Sequence, residues 1–359
     1  MSRTLWIDAA GWPATFDQTR LPHESVTLRL SSSQVCFDAI RAMQVRGAPL
    51  IGAVGAYGLA LALRDDASDA ALAAACDWLA SARPTAVNLR WALERVRRRV
   101  GDAPVEARAE LAWLEAGALC DEDVDCNARI GEYGAERLLA LPQAGDDARE
   151  RPLQVLTHCN AGRIATVDHG TALAPVYRLH EAGIPVHVWV DETRPRNQGA
   201  LLTAWELAQR GVPHTIVVDN AGGLLMRRGQ VDAVIVGCDR VAANGDVANK
   251  IGTYLKALAA HDNRVPFYVA CPLSTIDPDT PDGDAIPIEE RDAREVTEIT
   301  GQAADGRVLT VRIAPPGSDA ANPAFDVTPA RLVTALITEH GVCDASAPAI
   351  ARLLAAARR

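Results

Sequence analysis

Five short runs of β-forming residues, separated by helical spacers, occupy the second half of the chain: Val155 to Thr157, Val186 to Val190, Thr215 to Val218, Ala233 to Val236 and Phe267 to Ala270. Strand and helix in steady alternation fold as βαβ units, which associate into a parallel sheet. Side chains able to do chemistry gather where the runs end, as His158-Cys159-Asn160, Asp191-Glu192, Asp219-Asn220, Cys238-Asp239-Arg240 and Cys271. Open parallel sheets bind ligands at the carboxyl ends of their strands, so one crevice is expected there. Asp219 alone is read as an ordinary cap for the helix that follows it.

The first half follows another period. From Ser33 to about Leu141 the pattern is helical, with Val35, Ala39, Ile40 and Met43 on one face, followed by Ala71 to Ala80, Val87 to Val100 and Ala107 to Leu141. The longest apolar run, Ala48 to Leu63, is sixteen residues and too short for a membrane span. Its Gly52, Gly55 and Gly58 share one helical face and invite a close backbone neighbour. Leu5-Trp6-Ile7 and Val26 to Leu30 alternate as short strands, and the breaker-rich stretch Pro142 to Pro152 marks a boundary. The expected fold is α/β: a small, mainly helical N-terminal domain with short β strands over residues 1–145, then a Rossmann-like parallel-sheet domain over 146–359.

Charge narrows the partners. With 36 Lys and Arg against 46 Asp and Glu the net charge is −10, which argues against a nucleic-acid or anionic-membrane surface. Any anionic ligand must be held by a few local cations. The eight cysteines form no CxxC pair, so neither a zinc site nor a disulfide framework is expected, and a reducing cytoplasm suits them. The first residues carry no apolar leader, so no secretory signal is read. The turn after the first run, Thr157 to Ala165, lacks G-x-G-x-x-G and the chain has no P-loop, so no nucleotide cofactor is expected.

Two arginines stand where helices begin, in Arg46-Gly47-Ala48-Pro49 and in Ser81-Ala82-Arg83-Pro84-Thr85-Ala86. An arginine beside freed N–H groups at a helix start makes an anion site. The cluster Arg95, Arg97, Arg98 and Arg99 lies late in its helix and reads as solvated surface. Cys159, flanked by His158 and Asn160 with a helix expected to follow, suits a thiolate; a buried structural cysteine is its ordinary alternative. Asp239, partly desolvated between Cys238 and Arg240, suits a general acid. Together these residues suggest acid–base work on a phosphorylated metabolite.

Arg46-Gly47-Ala48-Pro49, Arg83 to Leu89, Thr157 to Gly162, Asp191 to Pro195, Gln198-Gly199-Ala200, Leu202 to Leu207, Gly237 to Arg240, Ala243 to Asp246, Ala248 to Tyr254, Pro272 to Asp277, Ile286 to Arg291 and Asn322 to Pro329 closely resemble the methylthioribose-1-phosphate isomerase family, in order from about residue 30 to 340. The resemblance implies a homodimer without metal or nucleotide cofactor. It implies that Arg46, Gly47, Ala48, Arg83, Gln198, Asn249 and Lys250 bind a phosphorylated pentose, and that Cys159 and Asp239 are catalytic. It places the chain in methionine salvage, turning an aldose 1-phosphate into its ketose.

The chain departs from the family pattern at Arg163 to Gly170 and at Arg196-Asn197. Both stretches adjoin the expected site, which keeps 5-deoxyribose 1-phosphate as the alternative substrate, since apolar pockets discriminate such changes weakly. A regulatory subunit of an initiation-factor exchange complex is the alternative of another class, and it would need neither Cys159 nor Asp239.

Overall fold

The computed structural model describes residues 3–141 and 151–357. Three short antiparallel strands open it: β1 (Trp6–Ile7), β2 (Pro13–Phe16) and β3 (Thr27–Arg29). The sequence pattern anticipates β1 and β3 but not β2, whose Pro-Ala-Thr-Phe has no alternation. Helices α1 (Ser33–Arg41), α2 (Ala48–Asp65), α3 (Asp69–Ala80), α4 (Val87–Gly101) and α5 (Val105–Leu139) follow. Ser32 and Ser68 cap α1 and α3, their hydroxyls accepting from the N–H groups of Val35 and Ala71. No described helix is long and apolar enough to cross a membrane.

Helix α2 is buried nearly all round and forms the centre of the helical layer. A Cβ on Gly52 would lie 2.8 Å from the carbonyl oxygen of Asn88, and one on Gly55 would lie 2.3 Å from Leu89 Cδ1, so these two glycines admit α4. Gly58 departs from the expected common face. Three-residue steps fall short of a full helical turn, and Gly58 packs instead against Cys36 of α1 and Leu79 of α3.

The second half carries β4 (Leu153–Thr157), α6 (Ala174–Glu181), β5 (Val186–Asp191), α7 (Ala204–Gln209), β6 (His214–Val217), α8 (Gly222–Arg227) and β7 (Ala233–Val236). Next come β8 (Arg240–Ala242), β9 (Val247–Lys250), α9 (Thr253–Asp262), β10 (Phe267–Ala270) and β11 (Ile276–Asp277). The last elements are α10 (Arg294–Thr297), β12 (Glu298–Gln302), β13 (Val308–Arg312), β14 (Phe325–Thr328), β15 (Ala335–Thr338), β16 (Gly341–Cys343) and α11 (Ala347–Ala357).

Seven strands form the main sheet in the order β16-β15-β10-β7-β4-β5-β6, with β16 antiparallel at one edge. Taken in chain order, the six parallel strands run 6-5-4-1-2-3, the doubly wound arrangement whose crevice opens between β4 and β7. Alternate residues serve opposite faces. Val155, Ile235 and Tyr268 pack with α6 and the end of α5, whereas Leu156, Val234 and Phe267 pack with α8, α9 and α11. A smaller sheet, β11-β8-β9-β14, sits beside the crevice.

Helix α5, 35 residues and about 52 Å long, belongs to both layers. Its Ala112, Ala116 and Leu119 join the helical core, and its Ile130, Ala135 and Leu138 join the core beneath the sheet. Of the expected boundary stretch, residues 142 to 150 lie outside the described residues.

Substitution of Gly52 by Ala is expected to lower unfolding stability by about 1–3 kcal/mol in urea titrations, because the new methyl meets backbone that cannot give way. Gly101→Ala, where a Cβ meets nothing within 4 Å, is expected to leave stability unchanged or to raise it. Equal effects at the two sites would contradict this account of the packing.

Candidate active site

Between β4 and β7 the sheet opens into a cavity roofed by the start of α2. It is lined by Arg46, Gly47, Ala48, Arg83, Cys159, Gln198, Asp239, Asn249 and Lys250, all nine residues singled out from the sequence. Of the five strand ends, those of β4, β7 and β10 reach the cavity, the last through Cys271. Asp191 and Asp219, ending β5 and following β6, stand behind it. The expectation that Asp219 caps the next helix is corrected: its carboxylate accepts from the N–H groups of Thr193 and Arg194, at 2.7 Å each, and so holds the loop after β5.

Cys159 has a φ of +66°, in the left-handed region that a side chain rarely adopts, at a cost on the order of 1 kcal/mol. Two threonines hold it there. Its N–H donates to Thr193 Oγ1 at 2.9 Å, and its carbonyl accepts from Thr203 Oγ1 at 2.7 Å. The helix expected directly after Cys159 is absent. A single 3-10 turn, Arg163–Ala165, precedes α6.

Behind Cys159 the ring of His158 lies between Asp191 Oδ2, 3.0 Å from Nδ1, and the carbonyl of Ile251, 2.8 Å from Nε2. His158, Asp191 and Asp219 have the ligand spacing of a metal site. The Lys256 ammonium, 3.1 Å from Asp191 Oδ2, already supplies the cation, and the arrangement is a structural brace.

Four cations surround the cavity of a chain whose net charge is −10. Arg46 donates from Nη1 to Asn160 Oδ1 at 2.6 Å and from Nη2 to the Asn160 carbonyl at 2.7 Å. Two of a guanidinium's five N–H groups are thereby used, leaving three for a ligand. Arg83 reaches Met43 Sδ at 3.0 Å and Glu289 at 3.6 Å, while its Nε is buried without a partner. Lys250 donates to the Ala324 carbonyl at 2.6 Å and lies 4.7 Å from the centre of the Phe325 ring. Burial, and then the neighbouring Arg291, push the Lys250 ammonium down to about 8. Gln198 Oε1 is likewise buried without a partner.

Gly47 permits the close approach that seals this end. Its φ is +96°, and a Cβ there would lie 2.3 Å from the carbonyl oxygen of Ala165. Arg291, paired with Glu289 at 2.9 Å, is the cavity cation that sequence reasoning missed, although it stands in the quoted Ile286 to Arg291 stretch. Of the two departures from the family pattern, Arg163 to Gly170 contributes Ala165 and Thr166 to the cavity wall. Arg196 pairs with Glu295 at 2.7 Å in an adjoining groove that shares Met43, Arg46 and Gln198 with the cavity.

This sheet order and this crevice occur together in a known class. Residues 44–345 match the initiation factor 2 subunit family, and the chain belongs to it. Among its relatives, methylthioribose-1-phosphate isomerase of Rhodospirillum rubrum is 59% identical over 356 residues, covering 98% of this chain and 91% of that protein. The protein of the same name from Acidiphilium cryptum is 60% identical over 354 residues, 98% of this chain and 95% of that one. Of solved structures, 5-methylthioribose 1-phosphate isomerase from Pyrococcus horikoshii superposes with a TM-score of 0.82 at 39% identity, over 99% of this chain and 96% of that one. A structure titled translation initiation factor eIF-2B, subunit delta, from A. fulgidus gives 0.78 at 40% identity, over 99% of this chain and all of that one.

Lys250 carries its charge below about pH 8 and loses it above. Sulfate, whose own charge is constant across this range, is therefore expected to bind about tenfold more weakly at pH 9 than at pH 7, a change that Lys250→Met abolishes. A pH-independent sulfate affinity in the unaltered protein would remove Lys250 from the anion site.

Proposed function

We propose that this chain converts 5-methylthioribose 1-phosphate to 5-methylthioribulose 1-phosphate. The observation that carries the reading is one cavity in which Cys159 and Asp239, from adjacent strand ends, meet Arg46, Arg83 and Lys250 from other parts of the chain. The relatives' names and their near-complete coverage support it. We read the molecule as a helical unit, 1–145, and a sheet unit, 146–359, joined by α5 and working as a cytoplasmic homodimer.

The substrate's anomeric oxygen is esterified, so its ring cannot open by the usual hemiacetal route. Asp239 gives its proton to the ring oxygen, the ring opens, and positive charge develops at C1. Hydrogen then passes from C2 to C1 with its electron pair. The C2 hydroxyl becomes a carbonyl by releasing its proton to the Asp239 carboxylate, which is thereby restored. Cys159 walls the C2 side, and Met43, Ile51 and Phe325 keep water from the transfer. Arg46, Arg83 and Lys250 hold the phosphate, and Gln198 and Asn249 hold the sugar hydroxyls.

The likeness to a structure titled as an initiation-factor subunit favours a second reading, a non-catalytic interaction subunit. The presence of both Cys159 and Asp239 weighs against it.

Incubation with 5-methylthioribose 1-phosphate, followed by NMR, is expected to yield the ketose. Asp239→Asn is expected to lose about a thousandfold in kcat with KM within about threefold. Deuterium placed at C2 is expected at C1 of the product undiluted. Wild-type turnover by Asp239→Asn would overturn the acid role, and solvent hydrogen at C1 would replace the hydride shift with an enediol route. Absence of any ketose would favour the second reading, and a higher kcat/KM for 5-deoxyribose 1-phosphate would change the substrate.

A further inference from the structure

Glu206, on α7, is 2% exposed and contributes nothing to the cavity wall. Its Oε1 accepts from Asn160 Nδ2, and its Oε2 accepts from the N–H of Arg163 at 2.7 Å. Both oxygens thus accept from N–H donors. Asn160 Nδ2 lies 3.1 Å from a second acceptor, Thr203 Oγ1, whose own proton goes to the Cys159 carbonyl. The amino end of the Asn160 amide is thus claimed on one side, and its oxygen is left for Arg46 Nη1 at 2.6 Å.

The two ends of an amide are nearly identical in shape, so packing alone does not orient Asn160. Turned over, it would set its NH2 group against the guanidinium, donor against donor. The seat of Glu206 is itself protected. Gly162 has a φ of −97°, which any residue adopts. What excludes a side chain there is the carboxylate, since a Cβ would fall 2.1 Å from Glu206 Oε1.

We infer that Glu206 is a positioning residue for Arg46: by fixing which end of the Asn160 amide faces the guanidinium, it sets the arginine against its anion. The inference rests on the reading of Arg46 as a phosphate ligand. It makes the hydrogen-bond polarity of the whole chain Arg46 to Asn160 to Glu206 the functional property, rather than any one residue's shape.

That polarity can be reversed. In Glu206→Gln the new NH2 must face either Asn160 or the Arg163 N–H, both donors. In Asn160→Asp two carboxylates face each other. In the double variant the amide introduced at position 206 keeps its oxygen for the Arg163 N–H and donates to the carboxylate introduced at position 160, whose other oxygen accepts from Arg46. The total charge equals that of the unaltered protein.

Each single variant is expected to raise KM about ten- to a hundredfold with kcat within about threefold, and sulfate affinity is expected to fall in parallel. The double variant is expected to return both within about threefold of the unaltered protein. A wild-type KM and sulfate affinity in Glu206→Gln would overturn the inference. So would a double variant no better than the worse single, whether judged by ligand binding or by melting temperature. Sulfate binding reads the inference even in a protein without isomerase turnover, which separates its failure from failure of the functional reading.

Discussion

A guanidinium that is 8% exposed has to find its partners inside the protein, and Arg46 finds them on the opposite layer. It precedes α2 in the helical half, yet both of its hydrogen bonds go to Asn160, at the end of β4 in the sheet half. A buried charge left unpaired costs several kcal/mol, so the two halves are held in one relative placement. The segment after Asn160 is clasped from the same direction. Thr4 donates to the Arg163 carbonyl, Gln18 to that of Ile164, and the Asp123 carboxylate accepts from the N–H of Val167.

The backbone around the crevice is itself unusual. Left-handed φ values at Met43, Cys159, Thr193 and Asn197 gather around the crevice, each tolerated because hydrogen bonds and packing fix the surrounding loops. The gain is a rigid cavity whose cations are already desolvated. Electrostatic interactions there are screened far less than at the surface of this acidic protein, which lets a few positive groups dominate the local field.

The sequence made the architecture readable wherever local pattern and tertiary structure agree. Strands buried on both faces give uninterrupted apolar runs, as β7 and β10 do, while β4, β5 and β6 are legible from β-branched residues set between helical spacers. β15, whose Ala335 to Thr338 are as few and as buried as the residues of β7 and β10, lies beyond the last run singled out from the sequence. The hairpin β8–β9, which delivers Asn249 and Lys250, carried an overlooked signal in Asn244-Gly245, a turn dipeptide whose glycine has φ +97°. Asp219 resembles a helix cap in one dimension and is a loop brace in three. Arg291 depends on β14 and its loop folding back to the crevice, which no local pattern encodes. Arg46, Arg83, Cys159 and Asp239 are legible from helix starts and strand ends, and the motif resemblance adds Gln198, Asn249 and Lys250, which no local pattern marks.

The central claim is that the crevice between β4 and β7 holds a sugar 1-phosphate with its phosphate on the helical side. A crystal structure of Asp239→Asn soaked with 5-methylthioribose 1-phosphate tests it most directly. The account predicts phosphate oxygens within hydrogen-bond distance of Arg46, Arg83 and Lys250, with C1 and C2 of the sugar between residue 239 and Cys159. A ligand bound elsewhere, or one in this crevice with its phosphate turned away from Arg46, would contradict it.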